Sequence, residues 1–497
     1  MCLHAPAPST FRRPSSLALA LALGVVLLSC TARAQEGATP EQIAERLRVV
    51  ERRLGIAPAD AAGAADLAAL DRRLRAVEAG LDARDGQQPA PAGAVPAPSA
   101  PAPAAPGNAP EIAVSTDKGA SIRSADGQVQ LKLGVLLQAD NRVFIDDHDR
   151  PQDDTFLWRR VRPTLEGSWG ELVGFRLTPE FAGDSASLVD AYVDLKFSPA
   201  ATVRLGKVKG PIGLERLQSG SALALVERGF PTELAPNREL GVQLQGALGG
   251  ARASYVLGVY NGAADGRDSP TTNPDSDYEL AGRLFLEPWK GGEGALSGLG
   301  VGIAASSGDK HGAGNHFLPR YRSPGQATFF SYLPGVAADG AHRRWSPQAY
   351  WYAGPVGLLG EYIRSSQEVV DTAAAARARL DHSAWQLTGS WVLTGEDASY
   401  RGLKPNHPFA PGSGGWGAFE LVARYGRLDI DPAAFPLFAN PSASARRASA
   451  WTLGLNWYLT GNLKLVANYS HADFAGGAPG GDREDEKTFF TRAQLSF

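Results

Sequence analysis

The run FLWRRVRPTLEG, residues 156–167, decides how this chain folds. Taken in steps of two, Leu157, Val161, Pro163, Leu165 and, just beyond the run, Trp169 fall on one parity, while Arg160, Arg162, Thr164 and Glu166 fall on the other. A strand alternates faces with period two, so this one has an oily side and a wet side. One such strand fits a sandwich as well as a barrel. Repetition makes the choice, because long segments with similar alternation follow to the last residue.

Working outward, strands are predicted at 129–145, 155–169, 173–181, 188–197, 202–209, 238–247, 251–261, 278–287, 299–307, 343–353, 356–369, 384–393, 417–430, 448–459, 463–474 and 486–497. Tight turns such as Gly354-Pro355 alternate with long polar connections such as 263–277. Short turns at one end and long loops at the other, with an even strand count, are the pattern of an outer-membrane barrel. Trp385, Leu387, Trp391 and Leu393 share one face, as do Trp451, Leu453, Leu455, Trp457 and Leu459. Such faces are costly in water, and aromatics near strand ends suit the lipid interface. The expected fold is all-β: a 16-stranded antiparallel transmembrane β-barrel over 111–497. Within it, 327–332 reads as an extra strand inside a long outer loop, and 395–415 is long for an inner turn.

With 497 residues, 43% of them hydrophobic, and net charge −3, the chain has a mean hydropathy of −0.19, the profile of a soluble protein. A barrel gives the same average, since its polar lumen offsets its lipid face. The near-neutral charge argues against a nucleic-acid partner. Residues 17–28 form the one continuously apolar stretch, at about 12 residues too short for a spanning helix. With Arg12 and Arg13 before it and Ala32-Arg33-Ala34 after it, it reads as a signal peptide, 1–34. Leu27-Leu28-Ser29-Cys30 leaves open a lipoprotein site acylated at Cys30. Both cysteines, Cys2 and Cys30, lie in this leader, so no disulfide is expected in the mature chain. In 35–85, Ile43, Leu47, Val50 and Leu54, then Leu67, Leu70, Leu74, Val77 and Leu81, step as a heptad seam. This predicts a periplasmic coiled coil joining several barrels, of open strand number, or else a hairpin folding on itself. Residues 86–110 are a Pro/Ala-rich linker without a fold of its own.

From 156 to 246 the chain resembles the phosphate-selective porin O and P family. The motifs are FLWRRVRPTLEG, SLVDAYVDLKFSP, RLGKVKGPIGLERLQSG and APNRELGVQLQG, in that order, and a weaker likeness runs on to the end of the chain. The resemblance implies a homotrimeric, water-filled outer-membrane pore for anions, phosphate above all, with an infolded third loop, here 211–237. By position it carries Arg159, Arg160, Arg162, Lys207, Lys209 and Arg238 into an anion-binding constriction. A final strand ending on Phe497 resembles the signal read by the outer-membrane assembly machinery, and lipid and lipopolysaccharide are the expected surroundings.

Parity adds Lys132, Arg176, Lys196, Arg204, Arg283 and Arg424 as lumen-lining cations. It disagrees with the resemblance in two places. Arg159 points outward by strict alternation unless the strand carries a bulge. Lys207 and Lys209 share parity with Val203 and Leu205, facing lipid unless Gly206 or Gly210 kinks the strand; because a lipid-facing lysine costs roughly 2–4 kcal/mol, the kink is favoured. Any of these arginines could instead pair across strands and stiffen the wall. No GxSxG, P-loop or HExxH pattern appears, and neither catalysis, a metal nor a cofactor is expected. A general or other-solute porin, an outer-membrane enzyme and a structural tether to the cell wall stand as alternatives.

Overall fold

The computed structural model describes residues 110–115, 119–149 and 152–497, and there the alternation becomes a closed wall. Its sixteen strands are β1 Val129–Ile145, β2 Thr155–Trp169, β3 Val173–Glu180, β4 Ser187–Ser198, β5 Ala201–Val208, β6 Glu239–Leu248, β7 Ala253–Tyr260, β8 Glu279–Leu286, β9 Leu299–Ala313, β10 Val336–Ala353, β11 Val356–Asp371, β12 Ala376–Val392, β13 Ala418–Asp429, β14 Ala445–Tyr458, β15 Leu463–Ala478 and β16 Glu486–Ser496. Each pairs antiparallel with the next, and β16 returns to β1, with Arg492 opposite Asp140 and Leu495 opposite Leu137. A ring has no free edge, so neighbouring strands satisfy the backbone groups that a bilayer cannot. A hairpin, Glu111–Ser115 with Gly119–Arg123, pairs onto the first residues of β1. The expected leader, coiled coil and all but the last residue of the linker lie outside the described residues.

The wall is inside out by the standard of a soluble protein. Gln138, Asn456, Asn468 and Thr488 are at most 2% exposed, while Leu257 is 58% and Ile303, Leu387 and Leu453 are each 54% exposed. Every such leucine left in water would forgo about 1.5–3 kcal/mol of burial; facing lipid, it forgoes nothing. Trp345 and Trp351, Trp385 and Trp391, and Trp451 and Trp457 stand six residues apart on β10, β12 and β14. At about 3.3 Å per residue that is about 20 Å along the strand, two aromatic rows bounding an apolar band. The lower row is tied to the turn end, where Trp351 Nε1 donates to Ala295 O and Trp457 Nε1 to Trp416 O, both at 2.7 Å.

The wall is uneven. β3, β5, β7 and β8 have 8 residues each, whereas β10, β11 and β12 have 18, 16 and 17.

Three connections fold into the ring. The third loop, between β5 and β6, carries a one-turn helix, Leu214–Leu217, and a 3-10 turn, Phe230–Glu233. Segment 327–332 proves to be part of a small hairpin, Arg320–Arg322 with Thr328–Ser331, inside the 314–335 connection. Its Tyr321, Phe329 and Phe330 are fully buried and pack with Ile212, Phe230 and Leu234 of the third loop and with Ile363, Leu380 and Leu428 of the wall. At the turn end, the long 393–417 connection reaches inward as well, and Tyr400 stacks on Tyr350 of β10.

Candidate functional site

Strand β2 carries its bulge at Arg159. Gln138 pairs with Arg160 and the next residue, Ala139, with Trp158, so Arg159 has no partner in that ladder. The extra residue lets two adjacent arginines reach the lumen, which strict alternation forbids. On β5 the kink favoured at Gly206 does not appear: both ladders run through it without a register shift, Arg204 and Val208 both line the lumen, and Lys207 keeps the parity of Leu205, although Gly206 itself has a φ of +129° and an added Cβ there would strike the Ala191 carbonyl. Lys209 lies just past the end of this strand and turns into the lumen.

These elements surround a cavity of about 880 Å³, the space of roughly 30 waters. Lys132, Arg159, Arg160, Arg162, Arg176, Arg204, Lys209, Arg216, Arg228, Arg238 and Arg322 line it, against two carboxylates, Glu166 and Asp190.

Many of the cations are paired at the wall. Arg162 Nε donates to Glu180 at 2.6 Å, Arg238 Nε to Asp190 at 2.7 Å, and Arg204 to both oxygens of Asp194 at 2.7 and 2.9 Å. Arg176 sits 2.7 Å from Glu166. Arg159 is taken by Glu227, a third-loop carboxylate that also accepts from Arg142 at 2.9 Å. Burial would raise the Glu227 carboxyl, but Arg159 and Arg142 hold it well below the ordinary carboxylate range.

Four others are held by neutral oxygens. Arg160, 2% exposed, donates to the Gln138 side chain. Lys209 Nζ donates to the carbonyls of Leu217 and Gln218 at 3.0 and 2.8 Å. Arg228 donates to the carbonyls of Glu215 and Gln218 at 3.0 and 2.9 Å. Arg216 donates to Asn237 Oδ1 at 2.9 Å and to the Thr232 carbonyl. Among the described residues, no carboxylate lies within ion-pair distance of these four. A carbonyl satisfies a donor without cancelling its charge, so the positive field stays available to a passing anion. Burial first, then the Arg238 and Arg228 guanidiniums, push the Lys209 amine well below the usual lysine range.

Of the residues expected at the constriction, Arg159, Arg160, Arg162, Lys209 and Arg238 line the cavity, as do Lys132, Arg176 and Arg204. Four of the expected residues do not line this cavity. Lys207 does not reach the cavity; its Nζ is 3.1 Å from Asp268 on the next outer connection. Lys196 is exposed near the turn end of β4. Arg283 lies with its guanidinium 4.3 Å over the Phe285 ring and donates to Gln348 at 2.9 Å. Arg424 is covered by the third loop, held by the Glu215 carboxylate and by the Glu227 carbonyl at 2.9 Å. Parity can tell inside from outside, but not which inward residues a loop will cover.

Arg216, Arg228 and Arg322 were not singled out in the sequence. All three lie on connections, where no period assigns a face. The one available signal was the placing of Arg216 and Arg228 within a loop expected to fold inward.

The family model for phosphate-selective porin O and P matches residues 129–497. Porin O of Pseudomonas aeruginosa is 23% identical over 422 residues, 78% of this chain and 93% of that protein. An uncharacterized protein of Caulobacter vibrioides is 25% identical over 523 residues, 95% of this chain and 93% of its own length. Among solved structures, the outer membrane channel DcaP of Acinetobacter baumannii is similar with a TM-score of 0.49 at 12% identity, over 74% of this chain and 97% of that one. Because the family match begins at the first residue of β1 and takes in the whole wall, this chain belongs to the phosphate-selective porin O and P family, and its barrel is an outer-membrane anion channel.

Proposed function

We propose that the channel passes phosphate by passive diffusion, through a neck formed by Arg160, Lys209, Arg216 and Arg228. The observation that carries this reading is a lumen lined by eleven cations and two side-chain carboxylates, five of the cations, the four of the neck and Lys132, having no carboxylate partner among the described residues. The planar guanidinium fork suits phosphate oxygens and keeps its charge across the physiological range. The family's name and the Porin O relative support phosphate as the solute.

Single channels in planar bilayers test the proposal. A salt gradient should give a reversal potential on the anion side, and added phosphate should block the chloride current. A chloride-preferring channel that phosphate neither blocks nor crosses would instead be a general anion porin.

The uneven wall supports a homotrimer. A strand crossing at a tilt needs about 9–11 residues, and β3, β5, β7 and β8 fall short of that with 8. That side is suited to burial against neighbouring barrels, leaving the tall wall to lipid and lipopolysaccharide. Phe489 and Leu495 of β16, and Phe497 just past its end, share one parity and are 39%, 37% and 42% exposed, which supports recognition by the assembly machinery. Mass measurement of the unheated protein in detergent should give three chains per particle; a single chain would overturn the trimer.

A further inference from the structure

We infer that Tyr400, carried inward by the long connection at the turn end, is a positioning residue for the neck cations. The inference rests on the neck proposed above. Tyr400 Oη donates to the Leu214 carbonyl at 2.6 Å, and the Gln218 side chain donates to the Tyr400 carbonyl at 2.7 Å. These contacts grip both ends of the one-turn helix Leu214–Leu217. The carbonyls of that same turn and of Gln218 hold Lys209 and Arg228.

A single helical turn has little stability of its own, because nucleation fixes several residues for one hydrogen bond. It must be held from outside. Glu361 of β11 supplies one anchor, accepting from Leu214 N at 2.6 Å and Glu215 N at 3.2 Å. Tyr400 supplies the other from below, its ring centroid 5.2 Å from that of Tyr350 at an interplanar angle of 21°. Tyr350 is itself anchored, donating to Glu287 at 3.0 Å. A connection otherwise needlessly long for its end of the barrel thus braces the carbonyls that aim two uncompensated cations. Without the brace, Lys209 and Arg228 are free to turn toward Asp190 and Glu215, the acids that share their surroundings, and a neutralised cation no longer draws anions.

The test is Tyr400→Phe, which keeps the ring stack and removes the donor, measured alone and combined with Lys209→Met. In the parent channel, losing the donor should raise the phosphate concentration that half-blocks the chloride current by about tenfold. In the Lys209→Met background the same change should shrink to about threefold, because the brace has lost one of the two groups it aims and keeps Arg228. Heat-modifiable gel mobility should be the same in all four proteins. An unchanged half-block in Tyr400→Phe, or an equal shift in both backgrounds, overturns the positioning role. A wild-type channel without anion preference overturns the proposed neck and the brace together, whereas wild-type phosphate block that Tyr400→Phe leaves intact overturns the brace alone.

Discussion

Glu227 grips the Arg159 guanidinium with both carboxylate oxygens, Nε at 2.7 Å and Nη2 at 3.0 Å. The pair ties the third loop to the bulge in β2, and the same carboxylate reaches Arg142 of β1. It also divides two adjacent arginines by role. Arg159 is neutralised and structural, while Arg160 beside it keeps its charge for the lumen.

Glu227→Gln leaves the buried Arg142 and the half-buried Arg159 without the carboxylate they share. Breaking a buried pair from one side costs about 3–5 kcal/mol, so the barrel should unfold at a lower temperature, read from heat-modifiable mobility on gels. An unchanged transition would mean that the pair contributes nothing to holding the loop.

Arg160→Ala and Lys207→Ala should behave differently, although the sequence groups them together. Arg160 lines the cavity with no acid partner, so its loss should cut the anion-to-cation permeability ratio several-fold. Lys207 is paired with Asp268 away from the cavity, and its loss should leave the ratio unchanged. Reversal potentials in a potassium chloride gradient measure both. Equal effects would put the neck elsewhere.

The Lys209 amine, depressed by burial and by Arg238 and Arg228, is charged below its folded pKa and neutral above it. Anion preference should therefore begin to fall with rising pH before an ordinary lysine, at about 10.4, would titrate. The arginines hold their charge throughout, so the fall should be partial. In Lys209→Arg it should vanish. Selectivity measured from about pH 7 to about pH 10 checks the sign, and a flat wild-type profile would contradict it.

Gly206→Ala puts a Cβ into left-handed backbone, against the Ala191 carbonyl and Tyr192 Cα. Both the strain and the clash oppose β5 pairing with β4, and a loss of about 2 kcal/mol or more is expected. A lower yield of heat-modifiable barrel would show it. Gly249, which meets nothing within 4 Å, makes the matched control: Gly249→Asn should be tolerated, since asparagine accepts positive φ.

The sequence by itself determined the wall. Alternation with period two is local, and lipid outside with water inside leaves a strand only one way to face, so Arg160 and Val161 could be assigned from their neighbours alone. Even the bulge at Arg159 showed as a place where charge and parity disagreed. What only the tertiary structure decided is which inward cations an anion can meet. Leu214 meets Glu361 across 147 residues of chain, and Arg424 meets Glu215 across 209. Loops have no period to say where they go, so the covering of Arg424, the straying of Lys207, and the arrival of Arg216, Arg228 and Arg322 at the cavity follow only from long-range packing inside the closed ring.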